Sequence, residues 1–320
     1  MSKIYYTPFT NSLNAYTERM KSILSVYGDI KRIDKNALFN KILNFDFNDI
    51  IVVNWLENIM IDKKGEISFL GVIKVFIIFI CFRCLFKKFI YVRHNHYPHA
   101  CNKEKSKKAK KILDVLEQIA HVTVVHSPVE AKGSRIYIPH PLYNIESIQN
   151  KKNNSTFVIF GSISRYKKIE KVILNFPKNL SLLIMGKCDD DEYLKELMKL
   201  KESKPNVNIK SDYISDEMAN KLISDSAGLL ITHNDDDMIV SGSFFYAMSI
   251  ECKTFVLNTP FFKWASEEIG DDYIRCFKNL DDMFSNLILE SDVDLFNNGN
   301  NPKDLFSDEM IMDKFDKILN

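Results

Sequence analysis

The chain has 320 residues, and its 43 Lys and Arg against 42 Asp and Glu leave a net charge of +1. This balance gives no overall attraction to nucleic acid or to acidic partners. Hydrophobic residues make up 46% and charged residues 27%, as in ordinary soluble globular proteins. The length exceeds that of most single cores and accommodates two domains.

The N-terminus carries no basic patch followed by an apolar core, so we expect no secretion signal. The six cysteines show no zinc-type spacing with histidines, and we expect them to be reduced in a cytoplasmic protein.

Strands and helices alternate in the first half of the sequence. Strands are predicted at 3–9, 30–33, 49–55, 89–93 and 122–126, and a short strand with an exit loop at 135–143. The run at 49–55 is nearly all apolar, as is typical of a buried parallel strand. Helices are predicted at 12–27, 67–86 and 103–120.

The segment 67–86 is long and apolar enough to be weighed as a membrane span. Lys74 and Arg83 lie within it, which is costly at the centre of a bilayer, and a strand follows almost at once. We therefore favour a buried crossover helix between two parallel strands. Its excess of Phe and Ile, together with nearby lysines, also suggests a peripheral contact with the inner membrane.

A polar segment at 150–155 is typical of a linker. The same alternation then resumes, with strands predicted at 156–161, 180–186, 207–210, 227–234 and 253–258. Helices are predicted at 167–174, 190–202, 215–225, from Ser241 onward, and at 305–320. The predicted domains are 1–150, 151–304 and a closing helix at 305–320.

This rhythm predicts an α/β protein of two doubly wound, Rossmann-like domains that face a cleft. The prediction leaves room for the C-terminal helix to return to the first domain. In such sheets ligands lie beyond the carboxyl ends of the strands.

The stretch Ser241-Gly242-Ser243 follows an apolar strand and opens a helix. The first amide groups of a helix have no intrahelical partner, and the helix dipole favours an anion there. Gly242 would let a phosphate approach the backbone. The alternative is that Ser241 is only an N-cap. The acidic triplet at 235–237 is interpreted as a solvated loop rather than a metal site.

Five motifs in order resemble those of one branch of the GT-B glycosyltransferases of bacterial surface-polysaccharide assembly. They are Trp55-x-Glu57, His94-Asn95-x-x-Pro98-His99, Ile138-Pro-His140-Pro-Leu-Tyr143, Phe160-Gly161-x-Ile-x-x-Tyr166-Lys167, and Ser241-Gly242-Ser243 with Ala247-Met248. Each is weak alone, but together they span most of the chain.

The sequence also departs from that pattern. Many retaining members carry two glutamates at the positions of Met238 and Tyr246 here. The usual arginine of the Phe-Gly loop is replaced by Ser164, with Arg165 next to it, and a frequent glycine is replaced by Lys168. These changes leave the stereochemical outcome and the phosphate partner open.

The resemblance implies transfer of a sugar from a nucleotide-sugar donor to a saccharide or polyprenyl-diphosphate-linked saccharide. Lys167, helped by Arg165 or Lys168, would stabilise the diphosphate as charge develops, next to Gly161 and the Ser241–Ser243 loop. This chemistry needs no metal or other cofactor, and none is expected.

His94 and His99 are the preferred general bases, since the pKa of histidine suits proton transfer near neutrality. Glu57 is the rival base. Asn95, Trp55 and His140 are expected to line the acceptor side.

We expect an inverting, cytoplasmic transferase, with peripheral contact with the membrane face as a further hypothesis. A retaining transferase, an inactive sugar-nucleotide-binding protein and a protein anchored through 67–86 remain alternatives.

Overall fold

The computed structural model describes residues 3–10, 15–44, 46–145, 155–212, 214–234, 238–290 and 300–319, except the side chains of 288–290. Parts of three predictions lie outside these residues. They are the start of the first predicted helix at 12–14, the linker at 150–154 and the acidic triplet at 235–237.

The described residues form two compact units. The first contains the chain up to Tyr143, residues 238–240 and the segment from Phe306 onward. The second contains residues 155–234 and Ser241–Leu305, within the limits of the described ranges.

The first unit is built on a six-stranded parallel sheet with the strand order β2-β1-β3-β4-β5-β6. Its strands are β1 (Lys3–Thr7), β2 (Asp29–Arg32), β3 (Ile50–Asn54), β4 (Lys88–Val92), β5 (Val122–Val125) and β6 (Arg135–Tyr137). Its helices are α1 (Tyr16–Leu24), α2 (Lys35–Asn44), α3 (Phe69–Leu85), α4 (Ser106–Leu116) and, from the far end of the chain, α12 (Asp308–Leu319).

Helices cover both faces of this sheet. Alternate residues of β1, β3 and β4 contribute to two separate apolar clusters, because successive side chains of a strand point to opposite faces. One cluster contains residues of α1 and α12, and the other contains residues of α2, α3 and α4. Right-handed crossovers explain this division, because connections that run in the same direction across the sheet place their helices on the same face.

The C-terminal helix α12 packs on α1, the return that the fold prediction left open. The Arg19 guanidinium pairs with Asp308 at 2.5 Å, and the Tyr27 hydroxyl donates to the Met312 carbonyl at 2.9 Å. Phe315 is fully buried in the cluster beneath. The last helix of the sequence therefore stabilises the first sheet.

The second unit repeats the architecture with the strand order β12-β11-β10-β7-β8-β9, again all parallel. Its strands are β7 (Thr156–Phe160), β8 (Ser181–Met185), β9 (Val207–Lys210), β10 (Gly228–Ile231), β11 (Thr254–Leu257) and β12 (Ile274–Phe277). Its helices are α5 (Ile169–Asn175), α6 (Asp191–Lys201), α7 (Asp216–Ser224), α8 (Gly242–Ser249), α9 (Pro260–Ile269), α10 (Leu280–Glu290) and α11 (Pro302–Leu305).

One predicted helix differs from its expected environment. The segment predicted as a buried crossover helix is the 17-residue α3, which connects β3 to β4 as expected. It buries Gly71, Val75, Phe79 and Phe82 but leaves the opposite side exposed, because only one side of a crossover helix meets the sheet. Within the described residues, no helix is both long and apolar enough to span a membrane.

Candidate functional site

Three residues of the predicted phosphate site lie together at the carboxyl edge of the second sheet. Gly161 follows β7 with φ of +103°, and the Ser243 hydroxyl at the start of α8 donates to the Phe160 carbonyl at 2.9 Å. A Cβ atom on Gly161 would lie 3.2 Å from Ser243 Oγ and 3.4 Å from Lys167 Nζ. The loop after β7, the lysine and the helix start therefore converge.

A second glycine, Gly186, packs closely against the backbone of Gly161 at this edge of the sheet. Phe160 and Met185 are in register, so Gly161 and Gly186 leave the sheet side by side. Gly186 has φ of +142°, and a Cβ atom there would collide with the Gly161 backbone. Backbone of this kind can approach a phosphate closely.

Lys167 lies in a short 3₁₀ turn (Arg165–Lys167) and is only 5% exposed. In the part of the chain that the structure describes, no carboxylate pairs with its ammonium group. Burial lowers the pKa of Lys167 to about 8. A buried cation without a counter-ion is costly, so this arrangement favours the binding of an anion.

Arg165 is engaged differently from its predicted role. Its guanidinium is half exposed and pairs with Asp190 at 2.8 Å and with Glu196 at 2.9 Å. Its charge is thus shared with α6 rather than left for a ligand, and its part in diphosphate binding stays a prediction.

The N-terminus of α8 bears on the alternative that Ser241 is only a cap. Ser241 is buried in an extended conformation directly before Gly242, and its side chain makes no capping hydrogen bond. Capping is therefore not what its hydroxyl does here. Lys168, which stands where the resembling family often has glycine, has φ of +51°, a left-handed conformation that glycine adopts without strain.

The residues predicted for the acceptor side lie in the first unit, where Trp55 follows β3, Asn95 follows β4 and His140 follows β6. Asn54 and Val92 are in register, so the segments that begin with Trp55 and Arg93 leave the sheet as neighbours. Trp55 has φ of +52°, which is unusual for a large side chain, and its ring stacks on His94 at a centroid distance of 4.2 Å.

The hydrogen bonds of His94 define its tautomer. Asn54 Nδ2 donates to the Thr7 carbonyl at 3.2 Å, so Asn54 Oδ1 is an acceptor. His94 Nε2 lies 2.9 Å from that oxygen and must carry the proton. The Nδ1 atom of His94 is then the basic nitrogen.

His94 belongs to a buried cluster of rings. Tyr16 packs edge-on against His94 at 4.9 Å, its hydroxyl donates to His126 Nε2 at 2.8 Å, and His126 Nδ1 donates to the Ile138 carbonyl. His140 packs against Tyr16 at 4.9 Å. Burial, and then the neighbouring histidines, hold the pKa of His94 well below 6.5. Burial also lowers the pKa of His126 to about 4 and that of His140 well below its usual value.

The other predicted bases differ from His94. His99 is exposed and lies five residues further along the loop. Glu57 is fully buried, and neither of its carboxylate oxygens has a hydrogen-bond donor in the described structure. Burial raises the pKa of Glu57, so it holds a proton more readily than an ordinary glutamate. The three candidates are chemically distinct.

Arg93 was not singled out from the sequence, although it directly precedes the His94 motif. It is fully buried, pairs with Asp114 at 2.7 Å and Glu117 at 2.8 Å, and donates to the carbonyls of Asn95 and His96. Its guanidinium therefore fixes the backbone of the loop that holds the predicted histidines. Asn95 itself is buried and forms a bridge with Met238.

The sequence matches no protein-family model, and no curated protein is significantly similar to it. Solved structures are similar in fold. A sucrose-phosphate synthase from Thermosynechococcus elongatus has a TM-score of 0.70 at 13% identity, covering 100% of this chain and 98% of that chain.

HepE from Anabaena, in complex with UDP and glucose, has a TM-score of 0.65 at 11% identity and covers 100% of this chain and 99% of that one. TarM has a TM-score of 0.61 at 14% identity, but the match covers 85% of this chain and only 55% of TarM. These likenesses confirm the predicted fold, two Rossmann-like domains of GT-B type.

Proposed function

We propose that the protein is a glycosyltransferase that moves a sugar from a nucleoside-diphosphate sugar to a saccharide acceptor. The observation that carries this proposal is the buried ammonium group of Lys167 beside Gly161 and Ser243, which pairs with no carboxylate among the described residues. It lies at the sheet edge where doubly wound folds bind ligands. A diphosphate would supply a counter-charge to this ammonium group.

The leaving group of such a reaction is the nucleoside diphosphate. A cation and backbone amides aimed at it stabilise the charge that develops as the glycosidic bond breaks. In this proposal Lys167 supplies the cation and the start of α8 supplies amides. No metal is assigned a role, and the metal-independent reaction stays part of the proposal.

The first unit would hold the acceptor. His94 or His99 would remove the proton of the acceptor hydroxyl, with Glu57 as the rival base. An inverting reaction is favoured because Met238 and Tyr246 replace the glutamate pair of many retaining enzymes. A retaining transferase and an inactive nucleotide-sugar binder are the alternatives, and a role in capsule or O-antigen assembly is part of the same proposal.

Calorimetry of nucleotide binding tests the donor site. UDP is the first ligand to try, because HepE was solved with UDP, and GDP, CMP and dTDP complete the comparison. Lys167→Ala should weaken binding by about 1.5–3 kcal/mol, as expected for losing a hydrogen bond to a charged group. Lys171→Ala, an exposed lysine on α5, is the matched control and should leave binding unchanged.

Unchanged affinity in Lys167→Ala would remove this lysine from the site. Release of UDP from UDP-sugar by the wild-type protein separates an enzyme from an inactive binder, since a binder releases no nucleotide.

A further inference from the structure

The outward side of α3 is an apolar stripe. Residues three and four apart lie on one side of a helix, and on this side α3 presents Leu70, Ile73, Ile77 and Ile80. Leu70 is 77% exposed and Ile77 is 56% exposed. A crossover helix in a soluble domain ordinarily carries polar residues on its outer side.

The neighbouring helix α2 extends this stripe. It contributes Ala37 and Leu38 to the same cluster beneath the helices, and its outer side exposes Phe39, Ile42 and Leu43. The apolar face (Phe39, Ile42, Leu43, Leu70, Ile73, Ile77 and Ile80) is therefore formed by two helices of one layer. Exposed apolar surface of this extent marks an interaction site.

Basic residues accompany this face. The helices α2, α3 and α4 together carry eight Lys and Arg and one acidic residue, Asp114, which pairs with Arg93. Lys74 and Arg83 lie on opposite edges of the α3 stripe, and α4 exposes Lys107, Lys108, Lys110 and Lys111. The basic surface and the apolar face belong to the same layer of the first unit.

The two halves of the sequence differ in net charge in the same sense. Residues 1–143 contain 22 Lys and Arg against 12 Asp and Glu, a net charge of +10. Residues 144–320 contain 21 against 30, a net charge of −9. A charge asymmetry between halves points to a charged surface as the partner of one half.

We propose that the layer of α2, α3 and α4 docks on an anionic lipid bilayer, with the apolar face entering the headgroup region and the α4 lysines contacting anionic headgroups. Apolar burial and basic charge are the two signals that stable peripheral binding requires. A second copy of the chain is the competing occupant. Two such layers would bring like charges together, which opposes that contact.

Flotation of the full chain with vesicles tests this proposal. At low salt the protein should float with vesicles that contain phosphatidylglycerol and should not float with vesicles of phosphatidylcholine alone. Ile77→Glu places a charge in the middle of the apolar face and should reduce partitioning at least tenfold. The control is Leu174→Glu, at an exposed apolar position (49%) on α5 of the second unit.

Two double variants test how much the lysine charges of α4 contribute to vesicle binding. Each basic residue near an anionic surface contributes about 1 kcal/mol, roughly fivefold in partitioning. Lys107→Gln combined with Lys111→Gln should therefore lower partitioning about thirtyfold. Lys195→Gln combined with Lys199→Gln, an exposed pair with the same spacing on α6, should leave it unchanged.

Equal binding to neutral vesicles, no binding to either kind, or equal loss in the control variants would each overturn the proposal. Self-association in sedimentation that disappears in Ile77→Glu, without any vesicle binding, would assign the face to a second copy.

Docking on a bilayer also predicts the kind of acceptor, a lipid-linked saccharide. This part of the inference rests on the proposed transferase function. Ile77→Glu should then lower transfer to a vesicle-embedded acceptor but not UDP binding. Vesicle binding is measured without any acceptor, so its failure is distinguishable from failure of the transferase proposal.

Discussion

The buried ammonium group of Lys167 predicts that the proposed nucleotide binding is sensitive to pH. With its pKa lowered to about 8 by burial, the free protein loses this charge between pH 7 and 9, whereas an exposed lysine would keep it. A bound diphosphate favours the charged form, so binding and protonation are coupled. We expect the affinity for UDP to fall about tenfold per pH unit above pH 8.

Calorimetry at pH 7, 8 and 9 measures this dependence. The phosphate groups of UDP are already ionised across this range, so a change in affinity reflects a titration of the protein. Lys167→Ala is the control, because it should bind weakly with no comparable slope. An equal slope in Lys167→Ala would assign the titration to another group.

The two predicted histidines differ in burial, and this makes the choice of base testable. Alanine at His94 or at His99 should lower turnover by roughly 10²–10⁴-fold in at least one case, as expected for loss of a general base. Affinity for UDP should stay unchanged, because these residues lie in the first unit and the residues of the proposed phosphate site lie in the second.

The pH profile distinguishes them further. Because the pKa of His94 lies well below 6.5, turnover that depends on His94 should remain level as pH falls through 6.5. Full turnover in both alanine variants would move the role to Glu57, which Glu57→Gln then tests. If both variants unfold, the loop serves the fold, since His94 also packs on Trp55 and Tyr16.

At the scale of elements, the sequence predicted the described strands of the first sheet well. Strands covered on both faces, such as Ile50–Asn54, are continuous apolar runs that a sequence pattern detects. Helix α2 was not predicted, because three of its apolar residues are exposed, Ala37 and Leu38 are only partly buried against the core, and its one buried residue is Lys41. The elements α9, β12, α10 and α11 were also not predicted, and their region of the sequence contains none of the five motifs.

The candidate site was predictable only in part, for a physical reason. Gly161, Lys167 and Ser243 lie in motifs that follow strands, so motif and position predicted that they would lie together, as they do in the structure. Arg93 pairs with Asp114 and Glu117, and Asn54 donates to the Thr7 carbonyl. These partners are distant in sequence, and no local pattern reveals them. The pairing of Arg165 with α6 likewise depends on how two helices pack.

At the scale of the whole molecule, the last helix of the sequence packs in the same unit as the first strands. The segment from Phe306 belongs to the first unit, although the residues before it belong to the second. Helix α12 fills the face of the first sheet that α1 covers incompletely. The stability of the first unit therefore depends on the last residues of the sequence.

Phe315→Ala tests this dependence. Phe315 is fully buried between α1 and the first sheet, and removing a buried phenylalanine side chain costs about 3–5 kcal/mol of unfolding free energy. Hydrogen exchange should accelerate in α1, β1 and α12, while the affinity for UDP, whose proposed site lies in the second unit, is retained. Met310→Ala on the same helix is the control, since Met310 is exposed and its replacement should change stability by no more than about 0.5 kcal/mol. If Phe315→Ala instead accelerates exchange in β7 and α8 and abolishes UDP binding, α12 stabilises the second unit and the assignment to the first is wrong.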